Sequence, residues 1–152
     1  MNPIQIRAAN KDDISFVYAV WLRSYKHDSP QTNYIHADVF FPNHQRALDL
    51  ALSDPNVLVS IACDLEDPGL IFGFLASEPK IKTVHYIYVK KPFRERGFAA
   101  MLLEHQGIPK DCEGWMCSHL TKSLLDLWGN HKTRVRFNPY ALERNNEPAK
   151  NE

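Results

Sequence analysis

Three apolar, β-branched or aromatic runs follow one another with only short turns between them, and this constrains the fold most. They are Val57-Leu58-Val59-Ser60-Ile61-Ala62-Cys63, Leu70-Ile71-Phe72-Gly73-Phe74-Leu75-Ala76 and Thr83-Val84-His85-Tyr86-Ile87-Tyr88-Val89. Glu66-Asp67-Pro68-Gly69 and Glu78-Pro79-Lys80 separate them with turn chemistry. Runs of this length and composition read as strands, the first two as the arms of a hairpin and the third as the next strand along.

The flanks read differently. Ile4 and Ile6 alternate with Gln5 and Arg7 as in a short half-buried strand. Asn10-Lys11-Asp12-Asp13 offers a cap with acids in the first turn, and Ile14, Val17, Tyr18, Trp21, Leu22 and Tyr25 recur at helical spacing to about His27. Ser29 to Pro42 keeps no period and reads as irregular, with Tyr34, Phe40 and Phe41 as apolar anchors. Asn43 is placed to cap a second helix through Ala47, Leu48, Ala51 and Leu52, stopping near Asp54-Pro55. Beyond the third long strand, Phe98, Met101, Leu102 and His105 share a helical face that Gly107 and Pro109 end. Trp115–Ser118 is a candidate strand, Ser123–Trp128 a short helix, and Thr133–Phe137 a last strand. The order is strand, two helices, three strands, helix, strand, helix, strand, which defines an α/β arrangement of sheet and helices. The expectation is one domain over residues 1–152, with about 140–152 as a frayed polar tail.

With 44% hydrophobic and 24% charged residues, the composition is that of a globular chain able to bury one core. Lys plus Arg equals Asp plus Glu at 18 each, which argues against a partner gripped by charge alone, nucleic acid above all. No apolar run approaches membrane-spanning length, and Met1–Arg7 carries no basic stretch leading into a signal core. A cytoplasmic protein without a membrane partner is therefore expected. Three cysteines argue against a disulfide scaffold. Cys112, Cys117 and His119 lack the second ligand pair of an ordinary zinc site, so buried thiols without metal are expected.

The segment with chemistry is Val89-Lys90-Lys91-Pro92-Phe93-Arg94-Glu95-Arg96-Gly97-Phe98-Ala99, which joins a strand to a helix. A helix start presents unpaired N–H groups and the positive end of the macrodipole, so it is where a phosphate is best held. Gly97 and Ala99 keep the approach small, and Arg94 and Arg96 add positive charge. A nucleoside-triphosphate loop needs Lys-Ser or Lys-Thr after its second glycine, and a dinucleotide fold needs three glycines after an early strand; both patterns are absent. Arg94-x-x-Gly97-x-Ala99 after a strand ending in Val89 resembles the acyl-coenzyme A signature of the GNAT acetyltransferases, and the element order is similar to theirs from about residue 3 to 138. The helix containing Trp21–Tyr25 also resembles that of short proteins encoded by tailed phages.

The resemblance implies a mostly antiparallel central sheet with helices on both faces, and acetyl-coenzyme A as donor to a primary amine of a small molecule or protein. Its implied cofactor residues are Ile87, Val89, Arg94, Glu95, Arg96, Gly97, Phe98 and Ala99, with the pantetheine arm in a gap between Thr83–Val89 and Trp115–Ser118. An amine of pKa about 10.4 is mostly protonated near neutrality, so a general base is useful. His85, four residues before Val89, is the implied base. Trp128 falls where the family often carries a tyrosine that protonates the departing thiolate. An indole cannot release its proton, which leaves Tyr140, Ser123, His119 or water for that role. Tyr34, Phe40 and Phe41 are the implied acceptor-pocket residues. A nucleic-acid base modifier on the same fold, or a coenzyme A-binding module without catalysis, are the alternative readings.

Overall fold

A computed structural model describes residues 3–109, 111–121, 124 and 136–142. One six-stranded sheet runs in the order β1 (Ile4–Ala8), β2 (Leu58–Asp64), β3 (Ile71–Glu78), β4 (Thr83–Val89), β5 (Met116–Cys117) and β6 (Arg136–Phe137). The first four strands are antiparallel neighbours; β5 lies parallel to β4, and β6 parallel to β5. Helices α1 (Lys11–Asp28) and α2 (Ala37–Ser53) cover one face, and α3 (Phe98–His105) covers the other. The expected mixed α/β sheet with helices on both faces is thus present.

Burial on both faces explains why the central strands read as continuous apolar runs. Every residue of β3 is buried, with Phe74 and Ala76 in the core under α1 and α2 and Leu75 in the core under α3. Gly73 is required by close approach, since a Cβ there would stand 2.4 Å from the Tyr88 carbonyl oxygen. Helix α1 forms as its sequence dictates. Asn10 accepts from the amides of Asp12 and Asp13, and the Asp13 carboxylate accepts from the Asn10 amide, which completes a capping box. Arg7 of β1 forks onto that carboxylate and holds it below the usual carboxylate range.

Two expectations need correction. Ser29 to Pro42 is not irregular throughout: α2 starts at Ala37, capped by His36, whose Nδ1 accepts from the Asp38 amide. Pro42 lies inside this helix, and Asn43, no cap at all, donates to the Val39 carbonyl. The gain that offsets the proline is one inward stripe of Phe40, His44, Leu48 and Ala51 at helical spacing, which carries Phe40 into the core. On α3, Met101 and His105 are exposed, and the buried face is Phe98, Leu102 and Leu103. Leu103 joins Leu75, Val84 and Ile87 in the core on that side of the sheet. Trp128, the expected Ser123–Trp128 helix except Leu124, and residues 133–135 of the last strand lie outside the described residues.

Candidate functional site

Two irregularities shape β4. Ala76 pairs with Tyr86 and Ser77 with Val84, so His85 is the extra residue of a β-bulge. Bulges re-aim side chains, and Val84 and Ile87 accordingly face the same core although three positions apart. On its other side β4 is joined to β5 only at its beginning: Met116 N donates to the Lys82 carbonyl and Ser118 N to that of Val84. Past Ser118 the chain turns toward the end of α1, where the Ser29 hydroxyl donates to the Leu120 carbonyl at 2.6 Å. Among the described residues, no strand pairs with Tyr86–Val89 along this edge.

At the far end of that edge, Arg94–Gly97 turns the chain into α3. Glu95 (φ 65°) and Gly97 (φ 84°) are both left-handed. No side chain caps α3 and its first turn has no acid, whereas Asn10 caps α1 and His36 caps α2. A Cβ at Gly97 would meet nothing within 4 Å. Three cations near the turn, Lys90, Arg94 and Arg96, lie on aromatic rings. The Arg94 guanidinium is 5.9 Å from the centre of Tyr88 while its Nε donates to the Val89 carbonyl, Arg96 lies over Phe93, and Lys90 over Phe16. Phe98 is buried and stacked on Phe72.

A cavity of about 430 Å³ opens on the α1/α2 side of the sheet. Tyr25, Phe40, His44, Ser118, His119 and Leu142 are among its walls, so it meets the β4/β5 opening at Ser118 and His119. Of the expected acceptor-pocket residues only Phe40 lines it. Tyr34 is 92% exposed, and Phe41 packs edge-on against Phe40 beside the core. Tyr140 is exposed next to Pro139, which does line the cavity.

His85 has no exposed surface. Its Nε2 lies 3.0 Å from Glu78 Oε1 and its Nδ1 2.7 Å from the Ser118 hydroxyl. That hydroxyl is also 2.7 Å from His119 Nδ1, and His119 Nε2 is 2.9 Å from His44 Nε2. His85 therefore stands behind Ser118, which lines the cavity together with His119 and His44. His44 and His119 passed unnoticed in sequence as members of one array, because they lie on elements far apart along the chain. Burial pushes His44 down to about 4 and His119 well below its ordinary value.

These depressions fix a pH response. Unfolded histidine takes a proton near pH 6.5, and the folded rings resist it, so the unfolded state binds more protons between about pH 6.5 and 4. The stability that the neutral rings contribute is present above pH 6.5 and lost as pH falls toward 4. The unfolding free energy from urea titrations is expected to fall through this window, by on the order of 2–3 kcal/mol from His44 alone. A flat profile from pH 7 to 4.5 would contradict the burial of these rings.

Cys63, Cys112 and Cys117 are buried and form no disulfide with one another, and burial pushes the Cys117 thiol up to about 12. Among the described residues, no group of three or more His, Cys, Asp and Glu is placed to hold a metal. No helix among them is long and apolar enough to cross a membrane.

No protein-family model matches the sequence, and no curated protein matches it. Among solved structures, the chain is similar to apo YjaB from Escherichia coli, with 18% identity over 68% of this chain and 63% of that one and a TM-score of 0.48. It is also similar to PaiA N-acetyltransferase from Thermoplasma acidophilum in complex with coenzyme A, with 14% identity over 68% and 69% of the two chains and a TM-score of 0.46. An acetyltransferase of the GNAT family from Staphylococcus aureus Mu50 shares 16% identity over 68% and 63%, with a TM-score of 0.45. At TM-scores under 0.5, these likenesses bear on neither the chemistry nor the acceptor of this chain.

Proposed function

We propose that this chain is an acetyl-coenzyme A-dependent N-acetyltransferase acting on a primary amine of a small molecule or protein. The observation that carries the reading is one continuous edge. Tyr86–Val89 of β4, without a β5 partner among the described residues, runs from the cavity wall at Ser118–His119 toward the uncapped turn Arg94–Ala99.

The residues present fit coenzyme A. The first-turn N–H groups of α3 have no side-chain cap and that turn of helix carries no acid, which suits a pyrophosphate. Open space stands where a Cβ of residue 97 would be, and Lys90, Lys91, Arg94 and Arg96 surround the turn with positive charge. Bound there, acetyl-coenzyme A supplies an acyl group activated as a thioester. The chain's own part is to bind and orient. Amides of residues 94–99 hold phosphate, backbone groups of Ile87 and Val89 hold the pantetheine arm, and a backbone N–H near Val89 faces the carbonyl oxygen as it gains charge. Phe40 and Tyr25 form apolar cavity wall for the acceptor. Tyr140, exposed beside Pro139, is the candidate proton donor to the departing thiolate. His85 acts on the acceptor only through the side chains in front of it.

Titration calorimetry of the whole chain with coenzyme A is expected to give saturable one-to-one binding. Absence of heat up to about 1 mM, the upper end of ordinary substrate constants, would remove the reading.

A further inference from the structure

The geometry points to a proton relay through the protein interior, in which His44 takes a proton from a group bound in the cavity and Glu78 stores it. Five side chains form an unbroken series: Glu78 at the end of β3, the bulge residue His85, Ser118 and His119 after β5, and His44 on α2. The four contacts between them span 2.7 to 3.0 Å, all within ordinary hydrogen-bond range. Glu78, His85, Ser118 and His119 are all buried, with at most 3% of their surface exposed. Ser118, His119 and His44 line the cavity, and of the three His44 is the half-buried one.

The chemistry of the donors permits two ordered states. A neutral imidazole donates from one nitrogen and accepts at the other, and a hydroxyl does one of each along a series. With Glu78 as carboxylate, His85 must donate from Nε2, so its Nδ1 accepts from the Ser118 hydroxyl. Ser118 then accepts from His119 Nδ1–H, and His119 Nε2 accepts from His44 Nε2–H. The remaining nitrogen, His44 Nδ1, is left with a lone pair, and among the described residues no group hydrogen-bonds it. A longer contact of 3.5 Å from the Ser118 hydroxyl to the His85 carbonyl competes poorly with the 2.7 Å contacts.

Adding one proton at His44 Nδ1 reverses the series. His44 passes its Nε2 proton to His119 Nε2, His119 its Nδ1 proton to Ser118, Ser118 its hydroxyl proton to His85 Nδ1, and His85 its Nε2 proton to Glu78. The end state is a carboxylic acid with three neutral imidazoles, so no imidazolium is left in the buried interior, where a charge is costly. Among the described residues, the other titratable groups that bear on the three histidines include Tyr25 and Tyr86, which pack on His119, and Asp54 after α2. Burial raises both tyrosines, so they stay protonated. In the acetyl transfer proposed above, the incoming proton is the one the amine loses. Its N–H bond breaks as the new N–C bond forms, and the C–S pair leaves on the thiolate. That use rests on the proposed function; the relay itself does not.

The relay is testable without activity. Long-range nitrogen–proton NMR of ¹⁵N-histidine-labelled protein reads which ring nitrogen carries each proton. At pH 7 the expected pattern is Nε2–H for His85, Nδ1–H for His119 and Nε2–H for His44. On acidification the three should shift together toward the opposite tautomers with one common midpoint. Ser118→Ala, which leaves Glu78, the three rings and the strand amides in place, should uncouple His85 from His119 and His44 and split that midpoint. Glu78→Gln removes the proton store and should abolish the reversal. If that variant does not fold, the parent pattern and Ser118→Ala still decide. A mixed or opposite tautomer pattern at pH 7, or a common midpoint that survives Ser118→Ala, overturns the relay. Loss of coenzyme A binding with the tautomer pattern intact would count against the acetyltransferase reading and leave the relay standing.

Discussion

Gly97→Val is expected to abolish coenzyme A binding, at least about a hundred-fold in Kd, while leaving a folded protein. The expectation has two separable parts. Gly97 sits at φ 84°, where a β-branched residue is strained, and left-handed backbone costs about 1–2 kcal/mol for residues with a Cβ. For a chain of this size that corresponds to a fall of about 2–8 °C in Tm. Apart from its chain neighbours the Cβ itself meets nothing within 4 Å, so the fold accommodates the side chain, and the expected loss of affinity comes from bulk added at the turn that the proposal gives to the pyrophosphate. Gly97→Ala carries the same backbone strain with less bulk and should retain part of the affinity. Unchanged binding in Gly97→Val, with its Tm lowered as expected, would detach coenzyme A from this turn.

The second large effect is on stability. Trp21 is fully buried on α1, stacked on Tyr86 with ring centroids 5.1 Å apart and edge-on to His119 at the same distance. Its indole N–H has no hydrogen-bond partner among the described residues, so substitution loses packing and no hydrogen bond. Trp21→Ala should therefore cost the transfer and cavity terms, about 3–5 kcal/mol. That is a large share of the 5–15 kcal/mol that typically holds a domain folded. Chemical denaturation read by far-ultraviolet circular dichroism checks it, and a loss under about 1 kcal/mol would mean that the pocket around Trp21 collapses freely. The same change removes the wall against which His119 rests, so the relay should lose its order along with the core.

Much of the sheet was legible because its strands are buried on both faces or alternate cleanly. Thr83–Val89 emerged with the bounds expected of it, and α1 declared itself through Asn10 and Asp13. Helix α2 was misjudged at its start because Pro42 is a strong local signal against helix, and the stripe of Phe40, His44 and Leu48 that overrides it is tertiary in origin. The site was legible only in part. The Arg94–Ala99 turn is a local feature, and its glycine and its cations are contiguous in the chain. The histidine array is not local: Glu78, His85, Ser118, His119 and His44 come together only once β5 lies beside β4 and α2 brings His44 to His119. His85 was implied by the resemblance, from its place four residues before Val89, but nothing along the strand told that a bulge would bury it behind Ser118.

The central claim is that the cavity at His44 and His119 and the turn at Gly97 serve one reaction, transfer of an acetyl group to an amine. Incubation of the whole chain with acetyl-coenzyme A and a panel of small-molecule and peptide primary amines, read by mass spectrometry for acetylated product and by thiol release, tests it most directly. The account predicts product from at least one amine, a rate that falls as pH drops, loss of turnover by about a hundred-fold or more in His44→Ala, and slower thiol release in Tyr140→Phe. Coenzyme A bound but no product from any amine at any pH would contradict it, and would mark the chain as a binding module.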